Sequence, residues 1–401
     1  MKEIIVDQMI KYKKKTDVII VLLGFLFFLI SFELLYNNKI SSYFVFIIRS
    51  ILFYKLFIYV FKLKKKFLGF YFFLFIYYLA YGLINSNFIG FVVMDVLSAF
   101  SILFLFLFNN QNKEYITKNI LNTLSLLLVF SILCVLYYLS KYGFQVAQEV
   151  GDRFLFEEDG SDFKLVYQSI ALSLVLLPFI WFVDFKRKLA ISLAFILFTV
   201  INLVSVSRGY IAGSLISILY TIYIGFKLNR FSLRLGLISS LSIILFSTIF
   251  ILNKYSDVLL VSFDLMSNRF DLIGDEIEPR DVEAEFYFKN LSNYQLFFGK
   301  GIGAANLRPF GRYSVRGIMM MHRGENNLIL KGGLLFLFII YGLAIFSLFK
   351  LLFSKDLFSN SWAGVIIIFL LLERGHQQYS SVFMLIFLCL AISYSFALKN
   401  K

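Results

Sequence analysis

One short polar stretch carries the residue types best suited to chemistry in this chain. The sequence HRGENN places His322, Arg323, Glu325, Asn326 and Asn327 together, directly before a long apolar run. His322 or Glu325 could accept a proton from an attacking hydroxyl as a general base. Glu325 or Asn326 could instead only cap the helix that follows, and Arg323 could reach lipid headgroups. The chemical and the structural interpretation both remain open at this point.

Arginines collect just before this polar stretch. From residue 300 to residue 323 the chain has no acidic residue, and it carries Lys300, Arg308, Arg312, Arg316 and Arg323. A guanidinium group binds phosphate oxygens through two parallel hydrogen bonds, whereas lysine acts mainly as a point charge. This part of the chain is therefore expected to bind an anion.

Further polar residues interrupt apolar sequence elsewhere. Arg208 lies in SVSRGYIAGSL, where Gly209 and Gly213 have the small-residue spacing of packed membrane helices. An arginine at membrane depth is costly unless it meets an anion or faces water. Arg374 and His376 lie in LLERGHQQYS, near the end of the chain. Arg49 and Asp95 also fall within apolar runs, and we expect them to pair with each other.

The elements that must position these residues are membrane helices. Hydrophobic residues make up 60% of the 401 residues and charged residues only 16%, which excludes an ordinary soluble domain. Because a span needs about 20 apolar residues, we predict twelve helices and an all-α polytopic membrane protein. The predicted spans are 18–36, 43–61, 67–86, 88–108, 120–140, 165–183, 189–206, 209–227, 234–252, 327–350, 361–374 and 379–398.

The distribution of basic residues predicts the orientation. Lysine and arginine are concentrated in alternate short loops, as expected if those loops and both termini are cytoplasmic. The net charge of +14 is then a topological signal, and we expect no nucleic-acid partner. The chain divides into helices one to nine (1–252), a long extracytoplasmic loop (253–326) and helices ten to twelve (327–401).

Two segments of the long loop have recognisable patterns. Residues 278–298 are expected to form one helix with Tyr287, Leu291, Tyr294 and Phe298 on one face. That face would lie at the bilayer interface or serve as an aromatic platform for sugars. The glycines in LFFGKGIGAAN do not match a nucleotide loop, and they suggest a turn that approaches a ligand or a helix closely. The nearby carboxylates lack the spacing of a metal site, so we expect neither metal nor cofactor.

The order of these features resembles the O-antigen polymerase and O-antigen ligase superfamily. The resemblance rests on SRG before a central helix, on a long external loop ending in LFFGKGIGAAN, and on a His/Glu/Asn cluster entering a glycine-containing helix. The ligase pattern has a histidine followed by a small polar residue, and a glycine further along, and His322 and Gly333 match the spacing of its histidine and glycine. Arg323 and Phe336 depart from that pattern. In another alignment register, Glu325, Asn326 and Asn327 lie where polymerases often carry an acidic or histidine residue and asparagine. Polymerase is the assignment we favour.

The resemblance implies a fold like that of the lipid-dependent GT-C glycosyltransferases and a multi-pass location in the bacterial inner membrane. It implies inverting, metal-independent polymerisation of undecaprenyl diphosphate-linked oligosaccharides, which are both donor and acceptor. A flippase and a chain-length regulator would be partners. Arg208 would assist catalysis, with His322 or Glu325 as the base, and Asn326, Asn327 and His376 would position substrate. The diphosphate would be bound by Arg208, Arg312, Arg316, Arg323 and Arg374. The alternatives are ligase-type transfer to a lipid core and a lipid-linked oligosaccharide flippase or transporter.

Overall fold

The fold is predominantly helical in the part of the chain that the structure describes. The structure, a computed structural model, describes residues 16–24, 26, 39–62, 68–85, 87, 89, 92–93, 95–96, 102–108, 112–142, 170–204, 208–228, 288–289, 291–304, 324–375 and 380–398. These residues contain no strand, which confirms the predicted all-α class. The α-helices whose bounds lie within the described residues are α1 (Lys39–Lys62), α2 (Leu68–Ile84), α3 (Lys113–Tyr142), α4 (Leu172–Leu176), α5 (Phe185–Val204), α6 (Arg208–Lys227), α7 (Asn293–Phe298), α8 (Gly324–Leu352), α9 (Leu357–Gly375) and α10 (Ser380–Phe396).

Several of these helices have the length and composition of membrane spans. Among the described residues, three segments are long and apolar enough to cross a bilayer: Lys113–Tyr137, Tyr210–Lys227 and Leu328–Leu352. Shorter apolar helices cover Phe72–Ile84, Leu172–Phe182, Leu357–Leu371 and Leu385–Phe396. These helices support a membrane protein. The predicted span 234–252 lies outside the described residues.

The chain forms two compact units. The first consists of Met1–Ile48, Glu114–Glu276 and Leu351–Leu371. Within it, a regular α-helix ends at Leu176 and a 3-10 helix, Leu177–Phe182, continues the segment that we predicted as one span. Pro178 stands at the start of the 3-10 helix, as expected for a residue that has no backbone N–H to donate. The Ser361 hydroxyl donates to the Pro178 carbonyl at 2.8 Å, which attaches α9 to this turn.

The start of α9 shows why its predicted length was too short. Asp356 caps the helix by accepting hydrogen bonds from the backbone N–H groups of Phe358 and Ser359, at 3.1 and 3.2 Å. The polar residues that follow the cap are fully buried, and the Asn360 side chain donates to carbonyls of the preceding turn. Hydropathy therefore placed the start of the span at residue 361, whereas the helix begins at Leu357.

The second compact unit consists of Arg49–Lys113, Ile277–Lys350 and Leu372–Lys401. It contains α2, α7, most of α8 and α10. The Ser395 hydroxyl of α10 donates to the Ser347 hydroxyl of α8 at 2.8 Å, and both residues are fully buried. The Phe108 backbone N–H donates to Ser393 at 3.0 Å. The Ser395–Ser347 bond joins α10 to the second half of α8, and the Phe108 bond joins the segment before α3 to α10.

Candidate functional site

Helix α8, whose first turn contains the end of the polar stretch, is broken at Gly333. Its backbone there has φ 70° and ψ −176°, a region open essentially only to glycine. A Cβ atom at this position would overlap the Phe297 carbonyl group, so the backbone at the end of α7 approaches at that point. We call this interruption the α8 break. It divides α8 into a first half, residues 324–332, and a second half, residues 334–352.

A glycine-rich turn fills the α8 break. Gly299, Gly301 and Gly303 all have positive φ, and a Cβ on any of them would overlap neighbouring backbone. We call residues 299–304 the glycine clasp. The Lys300 N–H donates to the Leu330 carbonyl at 2.8 Å, and the Gly301 N–H donates to the Lys331 carbonyl at 3.0 Å. The clasp thus satisfies carbonyl groups that the break would otherwise leave without partners.

The remaining N–H groups of the clasp also have protein acceptors. The Ile302 N–H donates to the Tyr78 carbonyl at 3.1 Å, and the Gly303 N–H donates to the Asp95 carboxylate at 2.8 Å. A phosphate-binding loop needs consecutive N–H groups that point at the ligand. Those of residues 300–303 are instead used within the protein. Of the two roles that we left open for this turn, the structure supports close approach to a helix.

Helix α2 and the asparagines after it hold the other side of the clasp. A Cβ on Gly82 would overlap the Ile302 carbonyl group, so the two backbones are in direct contact. The Asn87 side-chain amide donates to the carbonyls of Lys300 and Ile302, at 3.1 and 2.9 Å. The Tyr78 hydroxyl donates to the Gly332 carbonyl at 2.9 Å. The clasp is therefore packed between α2 and α8.

A buried ion pair joins the same elements. Asp95, which is 7% exposed, forms a salt bridge with the Lys331 ammonium, and its second oxygen accepts the N–H of Gly303. We expected Arg49 as the partner of Asp95, and this prediction is wrong, since the cation is Lys331. A carboxylate removed from water is stable only when it is paired and hydrogen-bonded. The pair thus ties the segment after α2 both to the clasp and to the first half of α8.

The aromatic segment before the clasp is not one continuous helix. Ser292 has an extended backbone and caps α7, with the reciprocal Ser292 and Gln295 hydrogen bonds of a capping box. The prediction of an unbroken helix over 278–298 is therefore wrong at Ser292, and residues 278–287 lie outside the described chain. Tyr294 packs edge-on against Tyr81, and its hydroxyl shares a 2.7 Å hydrogen bond with that of Tyr77. This aromatic face lies against α2.

Lys300 is the basic residue that the clasp itself supplies. Burial lowers the pKa of the Lys300 ammonium below its usual value, since partial removal from water disfavours the charged form. Its backbone is fixed on both sides by the bonds to Leu330 and to Asn87. Lys300 thus marks the fixed end of the arginine-rich segment that follows the clasp.

The predicted site residues fall into three groups. His322, Arg323, Arg312, Arg316 and His376 lie outside the described residues. The backbone of Arg208, Glu325, Asn327 and Arg374 is described as helical, whereas their side chains are not described. Asn326 is described in full, and it is 7% exposed.

The described backbone brings three predicted residues together. Glu325, Asn326 and Asn327 share the first turn of α8, which begins at Gly324. Arg208 is the first residue of α6 and belongs to the first compact unit, whereas Arg374 lies near the end of α9 and belongs to the second. The polar turn of α8 leads directly into the half-helix that the clasp holds.

This arrangement can fix a base and an amide near the start of a helix. The N–H groups of that turn lie at the positive end of the helix dipole, which favours an anion nearby. Chemistry that needs a proton acceptor beside an anion is therefore suited to the first turn of α8.

Sequence interpretation missed Asp95, Lys331 and the α8 break as parts of this site. Two signals were present. Lys331 is a charge inside a predicted span, and Gly332 and Gly333 form a pair in the same span. Such a pair weakens a helix and permits a break that a hydropathy average does not detect.

Comparison of the chain with protein-family models, with curated proteins and with solved structures finds no match.

Proposed function

We propose that this protein is a glycosyltransferase that polymerises lipid-linked oligosaccharide repeat units at the outer face of a bacterial inner membrane. The substrates are polyprenyl diphosphate-linked glycans, of the undecaprenyl type, which serve as both donor and acceptor. The proposed architecture has twelve spans, a GT-C-like arrangement and cytoplasmic termini. A flippase would supply the substrate, and a chain-length regulator is a further proposed partner.

The observation that supports this proposal is the bonding between the described elements on either side of the arginine-rich segment. Residues 305–323 follow the clasp and lead into α8 at Gly324. The clasp is bonded to the carbonyl of Lys331, which lies about 10 Å along the helix from Gly324 at the usual rise per residue. The described elements on either side of the segment that carries Arg308, Arg312, Arg316 and Arg323 are thus bonded to each other close to one polar turn, which favours recognition of a diphosphate.

The proposed reaction needs a base and a stabilised leaving group. The acceptor hydroxyl attacks the anomeric carbon of the donor, and His322 or Glu325 takes its proton. The bond between the anomeric carbon and the diphosphate oxygen breaks, and the diphosphate leaves with the bonding electrons. Attack on the face opposite the leaving group inverts the anomeric centre. Arg208 and the arginines of the loop stabilise the developing negative charge, and Arg374 and His376 belong to the same proposed site.

A secondary transporter is the second candidate, and the α8 break is the observation that favours it. Transporters commonly bind substrates at discontinuous helices that carry ionisable groups within the membrane. In this protein the clasp occupies the break and uses its carbonyl groups, which argues for a fixed support. We therefore place transport second.

The test is transfer by the purified protein. Wild type is reconstituted with a polyprenyl diphosphate-linked repeat unit in EDTA, and the products are separated on a gel. A ladder is expected, and loss of one charge-stabilising group in Arg208→Ala should lower its rate by about 100-fold or more. Comparison of His322→Ala with Glu325→Ala identifies the base.

Arg187→Ala provides the matched control. Arg187 makes an exposed pair with Asp184 at 2.8 Å, close to the predicted cytoplasmic side, and its loss should leave the ladder unchanged. Single addition to a lipid core acceptor, without a ladder, would identify a ligase. Movement of intact substrate across the vesicle membrane, without new glycosidic bonds, would identify the transporter.

A further inference from the structure

Asp95 connects three separate parts of the second compact unit. It lies in the helical residues 95–96, it accepts the N–H of Gly303 in the clasp, and it pairs with Lys331 in α8. The hydrogen bonds from Lys300 and Gly301 of the clasp to α8 join backbone groups only. The ion pair therefore adds a charged side-chain contact at the centre of an interface built largely from backbone.

The location of Lys331 allows this ion pair to hold the first half of α8 in place. Lys331 lies two residues before Gly333, where the carbonyl groups of the first half-helix end. A cation is favoured at that end of a helix, and here it also neutralises the Asp95 carboxylate. If the first half of α8 moved away, Asp95 would remain buried without its cation, which is strongly unfavourable. The pair therefore opposes displacement of this half-helix from the clasp.

We propose that Asp95 and Lys331 are positioning residues. Their ion pair locks the glycine clasp into the α8 break and thereby fixes the first turn of α8, which carries Glu325 and Asn326. The role of that turn in glycosyl transfer rests on the proposed function. Control of the turn by the ion pair does not, and it is measured separately.

Hydrogen–deuterium exchange measures opening of the clasp directly, because the N–H groups of residues 300–303 all donate to protein acceptors and exchange when those hydrogen bonds break. Lys331→Met leaves the Asp95 carboxylate buried without a cation. We expect exchange over 299–304 and over the first turn of α8 to rise by about tenfold or more. Exchange over α5, in the other compact unit, is the internal control and should stay unchanged.

Two further variants separate charge pairing from simple loss of a side chain. Lys331→Arg keeps the cation, and the double variant Asp95→Asn with Lys331→Met removes both charges while leaving an oxygen that can accept the Gly303 N–H. Lys331→Arg should exchange within about threefold of wild type, since it keeps the ion pair. The double variant should exchange faster than wild type, because the charged contact is lost, and no faster than Lys331→Met, because no charge is left buried alone. The inference is overturned if Lys331→Met exchanges like wild type, or if the double variant, which lacks the ion pair, exchanges like wild type.

A kinetic measurement on the same variants tests what positioning does for transfer. Lys331→Met should lower kcat per folded molecule by more than it raises KM, and Lys331→Arg should restore kcat. A purely structural role would lower the folded fraction and leave kcat per folded molecule unchanged, which would overturn the positioning role. If wild type forms no ladder, the proposed function fails, and the exchange data still decide whether the pair controls the turn.

Discussion

Substitution of Gly333 by alanine tests the α8 break most sharply. Gly333 lies in a backbone region that costs a non-glycine residue about 1–3 kcal/mol. A Cβ there would also overlap the Phe297 carbonyl, so the clasp must shift. Loss of the two clasp bonds to Leu330 and Lys331 adds about 1 kcal/mol each. We therefore expect Gly333→Ala to destabilise the fold by about 3–5 kcal/mol.

Gly342→Ala in the same helix is the matched control. Nothing lies within 4 Å of a Cβ at Gly342, so alanine there should be neutral or stabilise the helix by about 0.5–1 kcal/mol. Thermal unfolding of both variants is followed by intrinsic fluorescence in one detergent at one scan rate, because membrane proteins often unfold irreversibly. Gly333→Ala should melt several degrees below wild type and Gly342→Ala at or above it. Equal melting temperatures for the two variants would refute the clasp as a support of α8.

Three other predictions address separate parts of the chain. Asp356→Ala should cost about 1 kcal/mol by removing the cap of α9, whereas Lys355→Ala should change the melting temperature little. Burial lowers the pKa of Lys300, so its protonated form destabilises the folded protein, and this destabilisation decreases as pH rises through the pKa of the folded state. The melting temperature of Lys300→Met relative to wild type should therefore fall with rising pH. A difference in melting temperature that stays constant with pH would contradict this cause. Tyr77→Phe and Tyr294→Phe each remove one shared hydrogen bond, so thermal melts of the double variant should show no more loss than either single variant, and additive losses would argue against that bond.

The helices were predictable where a long apolar run has a polar boundary at each end. The spans expected at 189–206 and 209–227 lie close to α5 and α6, because charged or polar residues flank both runs. Prediction failed where a helix starts with buried polar residues, as after Asp356. It also failed where the backbone changes inside an apolar run, as at Pro178 and Gly333. An average of hydropathy over a window contains no term for backbone conformation.

The candidate site was predictable as a set of residue types and only partly as an arrangement. The cluster around Glu325 and Asn326 does enter a helix, since polar residues before an apolar run commonly mark a helix start. The partner of Asp95 was not predictable from spacing, because Lys331 is more than two hundred residues away. The capping box at Ser292 and Gln295 was visible in the sequence and would have divided the predicted aromatic helix.

We propose that this protein joins lipid-linked glycan units without a metal ion. The most direct measurement is the gel ladder from purified wild type incubated with its polyprenyl diphosphate-linked repeat unit, in EDTA and in parallel with added Mg²⁺. We expect the same ladder under both conditions, together with release of one polyprenyl diphosphate for each bond formed. A ladder that requires the metal would contradict the claim that arginines replace a cation, and the absence of any new glycosidic bond would contradict polymerisation itself.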